Sequence, residues 1–169
     1  MKEQGSFDLA RTILCISYLE EKMGSFYSVL SRISDEEEIR LAFNFLAKDS
    51  NVRKELLRHI AKLLAPSLKE GIEGCEAIVG SKLIEALSRY EDIMNKIEKG
   101  AVGRREILNS IKWHVSFSGP EYLMMMNLIA FSFILKDRLG VKQVLKAMAD
   151  GRKSRIEVLE RIIELMRSS

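Results

Sequence analysis

Proline is nearly absent from this chain: Pro66 and Pro120 are the only two in 169 residues, beside ten glycines. A β-sandwich or barrel needs many turns, so this scarcity argues against both and leaves room for long helices. Cysteine is equally sparse. Cys15 and Cys75 are too few for a disulfide framework and lack the CxxC spacing of a zinc site, so two buried, reduced thiols are expected. The opening MKEQGSFDLA has no apolar core of signal-peptide length. No run reaches the roughly 18 apolar residues of a membrane span; the greasiest region, Tyr122 to Leu135, is interrupted by Asn127 and Ser132. The expectation is a cytoplasmic, unanchored protein with no membrane partner. Glutamine is confined to Gln4 and Gln143 while Lys, Glu and Arg abound, a composition that fits a thermophile.

Charge excludes more than it suggests. A net +3 spread along the chain is too mild and dispersed to mark a nucleic-acid-binding protein. The candidate basic residues for that alternative are Arg104, Arg105, Arg152, Lys153 and Arg155, and the ordinary reading of such a run is a solvated helix face. No Ser, His and Asp constellation suggests a nucleophilic triad. Gly71, Gly74 and Gly80 lack the Lys-Ser/Thr ending and preceding strand of a phosphate loop.

What is present is helical periodicity. Leu9, Ile13, Ile16, Glu20, Met23, Tyr27 and Leu30 recur at alternating spacings of four and three, a packed seam with a carboxylate at its middle. A first helix is predicted over about 7–33. Ser34 is a candidate cap with Glu37 completing a capping box, which starts a second helix over about 35–64. Its stripe, Ile39, Phe43, Leu46, Ser50, Arg53, Leu57, Ile60 and Leu64, also carries polar residues at mid-helix. Three further helices are predicted over 67–79, 81–99 and 104–117, the last carrying Trp113 and His114, with His114 read as a packing residue. Ser118, Pro120 and Glu121 form a helix start, with Ser118 as cap and Glu121 as the capping-box acid. That helix is expected to run to about Leu139 and stop at Gly140. Its methionines, Met124 to Met126, make it apolar nearly all round, which suits a central helix better than an interface. The last helix, 141–166, has Arg152 and Arg155 in an otherwise apolar stripe of Leu145, Met148, Leu159, Ile162 and Met166.

The chain therefore divides into a hairpin over 6–64, a middle helical block over 65–118 and a hairpin over 119–167, expected to form a single all-α domain over 1–169. The hairpins can be overlaid as an internal duplication. Glu20 falls on Asn127 when YLEEKMGSFY is laid over MMNLIAFSFI. Ser50 falls on Arg152 and Arg53 on Arg155 when FLAKDSNVRKELL is laid over AMADGRKSRIEVL.

In these segments the chain resembles the rubrerythrin-like branch of the ferritin-like superfamily. There each hairpin gives one Glu from its first helix, in a pattern like E-x-x-A-x-x-F-Y, and a Glu-x-x-His pair from its second. Glu20 to Tyr27 is similar to the first pattern, and Leu46 to Leu57 to the second, with Ser50 and Arg53 where Glu and His would stand. The resemblance implies a ferritin-like four-helix bundle made of two hairpins, with the middle block as an addition. Of six metal-ligand positions only Glu20 survives; the others read Ser50, Arg53, Asn127, Arg152 and Arg155. This implies a vestigial site in a non-enzymatic protein that needs no cofactor and acts as a homo-oligomer or through a protein partner. Arg53 is then expected to pair with the Glu20 carboxylate, near Asn127 and Tyr27. The alternative is a working oxidoreductase with iron or manganese on rearranged ligands, Glu20, Glu55, His59 and Glu91. Against it, Glu55 and His59 read more simply as an i,i+4 surface pair.

Overall fold

The computed structural model describes residues 2–116 and 119–168. Among these there is no strand, and seven helices follow one another: α1 (Lys2–Ile33), α2 (Glu37–Leu64), α3 (Cys75–Val79), α4 (Ser81–Glu98), α5 (Arg104–Val115), α6 (Pro120–Ile134) and α7 (Leu139–Ser168). The all-α expectation holds. The chain separates into two compact units, Met1–Met94 and Asn95–Ser169. The middle block is therefore not one body: α3 and most of α4 group with the first hairpin, and α5 with the second.

In the first unit α1 is the axis. From Ile13 to Leu19 and again from Met23 to Leu30 it is buried on nearly every side, not along one stripe. One side packs on α2, where Phe43, Leu46, Leu57 and Ala61 are buried. Gly24 permits a close approach there: a Cβ would stand 3.3 Å from Cβ of Ser50 and 3.4 Å from the Ala47 carbonyl. A mid-helix glycine costs about 1 kcal/mol of propensity relative to alanine, and here the inter-helix fit offsets that cost. Another side takes Tyr90 of α4 against Phe26, with ring centroids 5.1 Å apart, and Lys22 bridges to Glu91 at 2.5 Å.

A third side is closed by a disulfide. Cys15 of α1 is bonded to Cys75 of α3, with Cα atoms 5.5 Å apart. This corrects the expectation of two reduced thiols: sequence spacing carried no sign that α3 folds back over α1. The segment leading to α3 is irregular, not the helix expected from Ser67, because Gly71 and Gly74 both have positive φ (144° and 77°). Tyr18 anchors it by accepting a hydrogen bond from the Gly71 amide at 2.7 Å, and Arg11 donates to the carbonyls of Lys69 and Glu73.

The α1–α2 turn also differs from its sequence reading. Ser34 does not cap; its hydroxyl donates back to the Leu30 carbonyl at 2.6 Å, and Glu36 takes the cap position without a side-chain bond. Glu37 and Glu38 still favour the positive end of α2 through the helix dipole.

In the second unit α6 and α7 form a hairpin, with α5 against both. Ile111, Met124, Leu128, Leu145 and Leu159 are fully buried at its centre. Helix α6 stops at Ile134, earlier than expected. The Leu135 amide still bonds the Phe131 carbonyl, and a Lys136–Asp137–Arg138 turn follows. Gly140 consequently lies in the first turn of α7 and terminates nothing. Nor is α6 a central helix, since Met126, Phe133 and Ile134 are exposed. Arg104 at the start of α5 donates to the Met166 carbonyl, tying α5 to the end of α7.

Candidate functional site: a buried carboxylate between two arginines

The most concentrated chemistry lies in the second unit. Glu121 is the second residue of α6 and the only acid in that helix. Its place in the first turn puts it at the positive end of the helix dipole. Arg152 and Arg155 are three apart on α7 and so share a face. His114 is the penultimate residue of α5. Gly119 allows these three elements to meet. Its amide bonds the Ser116 carbonyl at 2.7 Å, and a Cβ at this position would collide with the Trp113 carbonyl and come within 2.6 Å of the His114 carbonyl. The cap expected of Ser118 lies outside the described residues.

All four side chains are sealed from solvent, none more than 2% exposed. Arg155 reaches Glu121 Oε1 with Nε at 3.2 Å and Nη2 at 3.0 Å, while Arg152 Nη1 donates to Oε2. His114 Nε2 stands 3.1 Å from Oε1. Burial pushes the Glu121 carboxyl up, but Arg152, Arg155 and the His114 hydrogen bond outweigh it and hold the group well below the ordinary carboxylate range. Burial is also the largest influence on His114 and lowers its pKa. It prevails over the attraction of Glu121, and the two arginines lower it further. The consistent state is an ionised Glu121, two guanidinium cations, and a neutral imidazole donating from Nε2.

The residues expected from sequence divide between the units. Glu20 and Ser50 are fully buried in the first unit, and Arg53 is 6% exposed. Asp49, four residues earlier on α2, holds Arg53 Nε at 2.8 Å. Oε2 of Glu20 is buried and receives no hydrogen bond. Asn127 is half-buried and donates to the Leu123 carbonyl of its own helix at 2.8 Å, so it has no place in the ion cluster. Arg152 and Arg155 are both buried, against the solvated face expected of the basic run, and they converge on Glu121, which the sequence suggested only as a capping acid. Two arginines in the α7 seam called for an acid on a packed neighbour, and α6 offers just one. That signal was available.

A metal fits poorly here. Glu121 and His114 offer one carboxylate and one imidazole, and two guanidinium cations stand where a second cation would have to enter, whereas an iron or manganese pair needs several anionic oxygens. The alternative ligands do not converge either. Glu20 is inside the first unit, whereas Glu55 and His59 are exposed on α2, and Glu91 is engaged by Lys22. Among the described residues no three of His, Cys, Asp and Glu are grouped to hold a metal. A groove of about 360 Å³ between α6 and α7, lined by Tyr122, Met125, Lys153, Ile156, Glu157 and Glu160, has charges only along one side and no convergent donors. The basic run is broken up as well, with Arg152 and Arg155 in the core and Lys153 and Arg105 left outside. No family model matches the chain, and neither a curated protein nor a solved structure is significantly similar to it.

Proposed function

We infer that this chain is a non-enzymatic helical assembly protein on a ferritin-like plan, in which buried ion groups occupy the positions a metal pair would take. The observation that carries this reading is Glu121, whose two oxygens are both engaged by guanidinium groups at zero exposure. A carboxylate so held has both oxygens occupied by donors and is closed off from solvent, which suits a structural role better than a catalytic one. Its effect is to fix how α5, α6 and α7 pack, a specificity role that buried ionic groups can play. The equivalence of Ser50 and Arg53 with Arg152 and Arg155 supports the two-hairpin plan, since both second helices bury polar residues at the overlaid positions. Function then lies on the outside, in contact with another chain.

The Cys15–Cys75 bond bears on compartment. Disulfides persist in oxidising compartments and in the interior of hyperthermophiles; the glutamine-poor, Lys- and Glu-rich composition favours the second and keeps the cytoplasmic assignment. The test of the functional reading is metal analysis of protein produced with iron and manganese in excess. The expected result is a small fraction of one metal per chain. Stoichiometric iron or manganese overturns the reading in favour of an oxidoreductase.

A further inference from the structure

Helix α2 has two apolar faces. One is buried against α1 and includes Ile39, Phe43, Leu46, Leu57 and Leu64. The opposite one carries Leu41, Phe45, Val52, Leu56 and Leu63, which are 69%, 57%, 58%, 37% and 55% exposed. At 100° per residue these five lie within about 60° of one another, centred about 130° round the helix from the buried face. Leu41, Val52 and Leu63 recur at intervals of eleven, so the stripe runs nearly straight along almost the whole helix. A solvated helix does not need it, and a stripe of this length marks an interaction surface.

We propose that α2 pairs through this stripe with α2 of a second copy of the chain, antiparallel about a two-fold axis at Val52. The proposal rests on the assembly reading above and names its partner. The sequence of the stripe is complementary to itself in that arrangement. Leu41 meets the second copy's Leu63, Phe45 meets its Leu56 and His59, and Val52 meets Val52, so that every large apolar group finds another or an imidazole. The charges agree. Lys48 and Glu55 lie on the same flank of the stripe, and a two-fold antiparallel pair sets like flank against like flank, so the dimer holds two Lys48–Glu55 contacts, one from each copy. The ends agree too: Glu37 at the start of one α2 lies on the same flank as Lys62 at the end of the other, and the two helix dipoles oppose. A parallel pairing would set opposite flanks together, so Lys48 and Glu55 would not meet.

The test uses the whole protein. Cys15 and Cys75 are bonded to each other and no free thiol is present, so a cysteine introduced by Val52→Cys is the sole reactive one. Under mild oxidation V52C is expected to form a covalent dimer, whereas Asn51→Cys, exposed but turned about 100° away, is not. In sedimentation equilibrium, Lys48→Glu or Glu55→Lys alone should weaken the dimer about five- to tenfold, and the two together should restore it. A different partner with fixed charges gives no such rescue, so failure of the double reversal overturns the pairing. So does a dimer that neither V52C traps nor Leu41→Glu with Phe45→Glu dissociates, although assembly itself then stands. A chain that remains monomeric at every concentration and carries stoichiometric metal overturns both. Circular dichroism of each variant confirms that the helices are intact.

Discussion

The two hairpins solve the same problem differently. Each buries polar side chains three apart on its second helix, Ser50 and Arg53 in α2, Arg152 and Arg155 in α7. In the first unit Arg53 is answered locally by Asp49, whose side chain is 26% exposed. In the second both guanidinium groups turn inward to a carboxylate 31 and 34 residues away in sequence. The difference traces to which acid is in reach. Asp49 sits one turn before Arg53, whereas the position four before Arg155 is Gly151 and the one four before Arg152 is Met148. With no acid beneath them on α7, the arginines depend on α6, and the second unit becomes tied together by charge where the first is tied by a disulfide and aromatic packing.

The largest effect that contrast predicts is for Glu121→Ala. Removing the acid leaves two guanidinium groups facing each other in the core, which should cost about 3–5 kcal/mol. Trp113, the only tryptophan, lies beside His114 and reports urea unfolding of this unit by fluorescence. Opening the Cys15–Cys75 bond by Cys15→Ala with Cys75→Ala comes next, since the bond closes a loop of 60 residues. The loss is expected to be about 2–4 kcal/mol, visible in helix melting by circular dichroism while the Trp113 transition keeps its midpoint. If both probes shift together, the two units do not differ in the way described.

A smaller effect is expected from acid. The unfolded chain protonates His114 near its ordinary value of 6.5, but in the folded protein the group takes a proton only at lower pH. Between those values the unfolded state binds more protons, so stability falls as pH drops below 6.5, with a slope of at most about 1.4 kcal/mol per pH unit. His114→Gln should flatten that slope in the Trp113 transition; Glu121 adds its own loss at lower pH, from its ordinary value of 4.5 down towards its depressed pKa. The smallest effect belongs to Arg53→Met, which keeps an apolar stem of similar length and removes a pair that a neighbouring residue supplies. The expected loss is about 1 kcal/mol or less, and a loss equal to that of Glu121→Ala would erase the distinction between the hairpins.

Periodicity made the helices and their buried faces legible, including polar residues within the seams at Glu20, Ser50, Arg53, Arg152 and Arg155, although the basic run at 152–155 also read as a solvated face. It did not reveal which groups meet. Glu121 satisfies the sequence rule for a capping acid, and only the position of α7 turns it into the anion of a core cluster. Cys15 and Cys75 look like unrelated thiols until the irregular segment before α3 folds across α1. Helix α6 ends at Ile134 and not before Gly140, because the polar turn at 136–138 stops it although a glycine is the stronger stop signal in the sequence. The apolar outer stripe of α2 was written in the sequence too, but it is diluted by Lys48 and His59 and becomes conspicuous only once the opposite face is known to be filled.

The ionised state of Glu121 is the point on which the account of the second unit turns. A pH titration of its side-chain carboxyl carbon by NMR, in the intact protein with E121Q fixing the assignment, measures that state directly. The predicted result is a carboxylate that stays ionised through the ordinary range around 4.5 and begins to protonate only as the protein unfolds in acid. A group that takes up its proton at or above that value in the folded protein would mean that Arg152 and Arg155 do not hold it, and would contradict the ion cluster as the organising feature of the second hairpin.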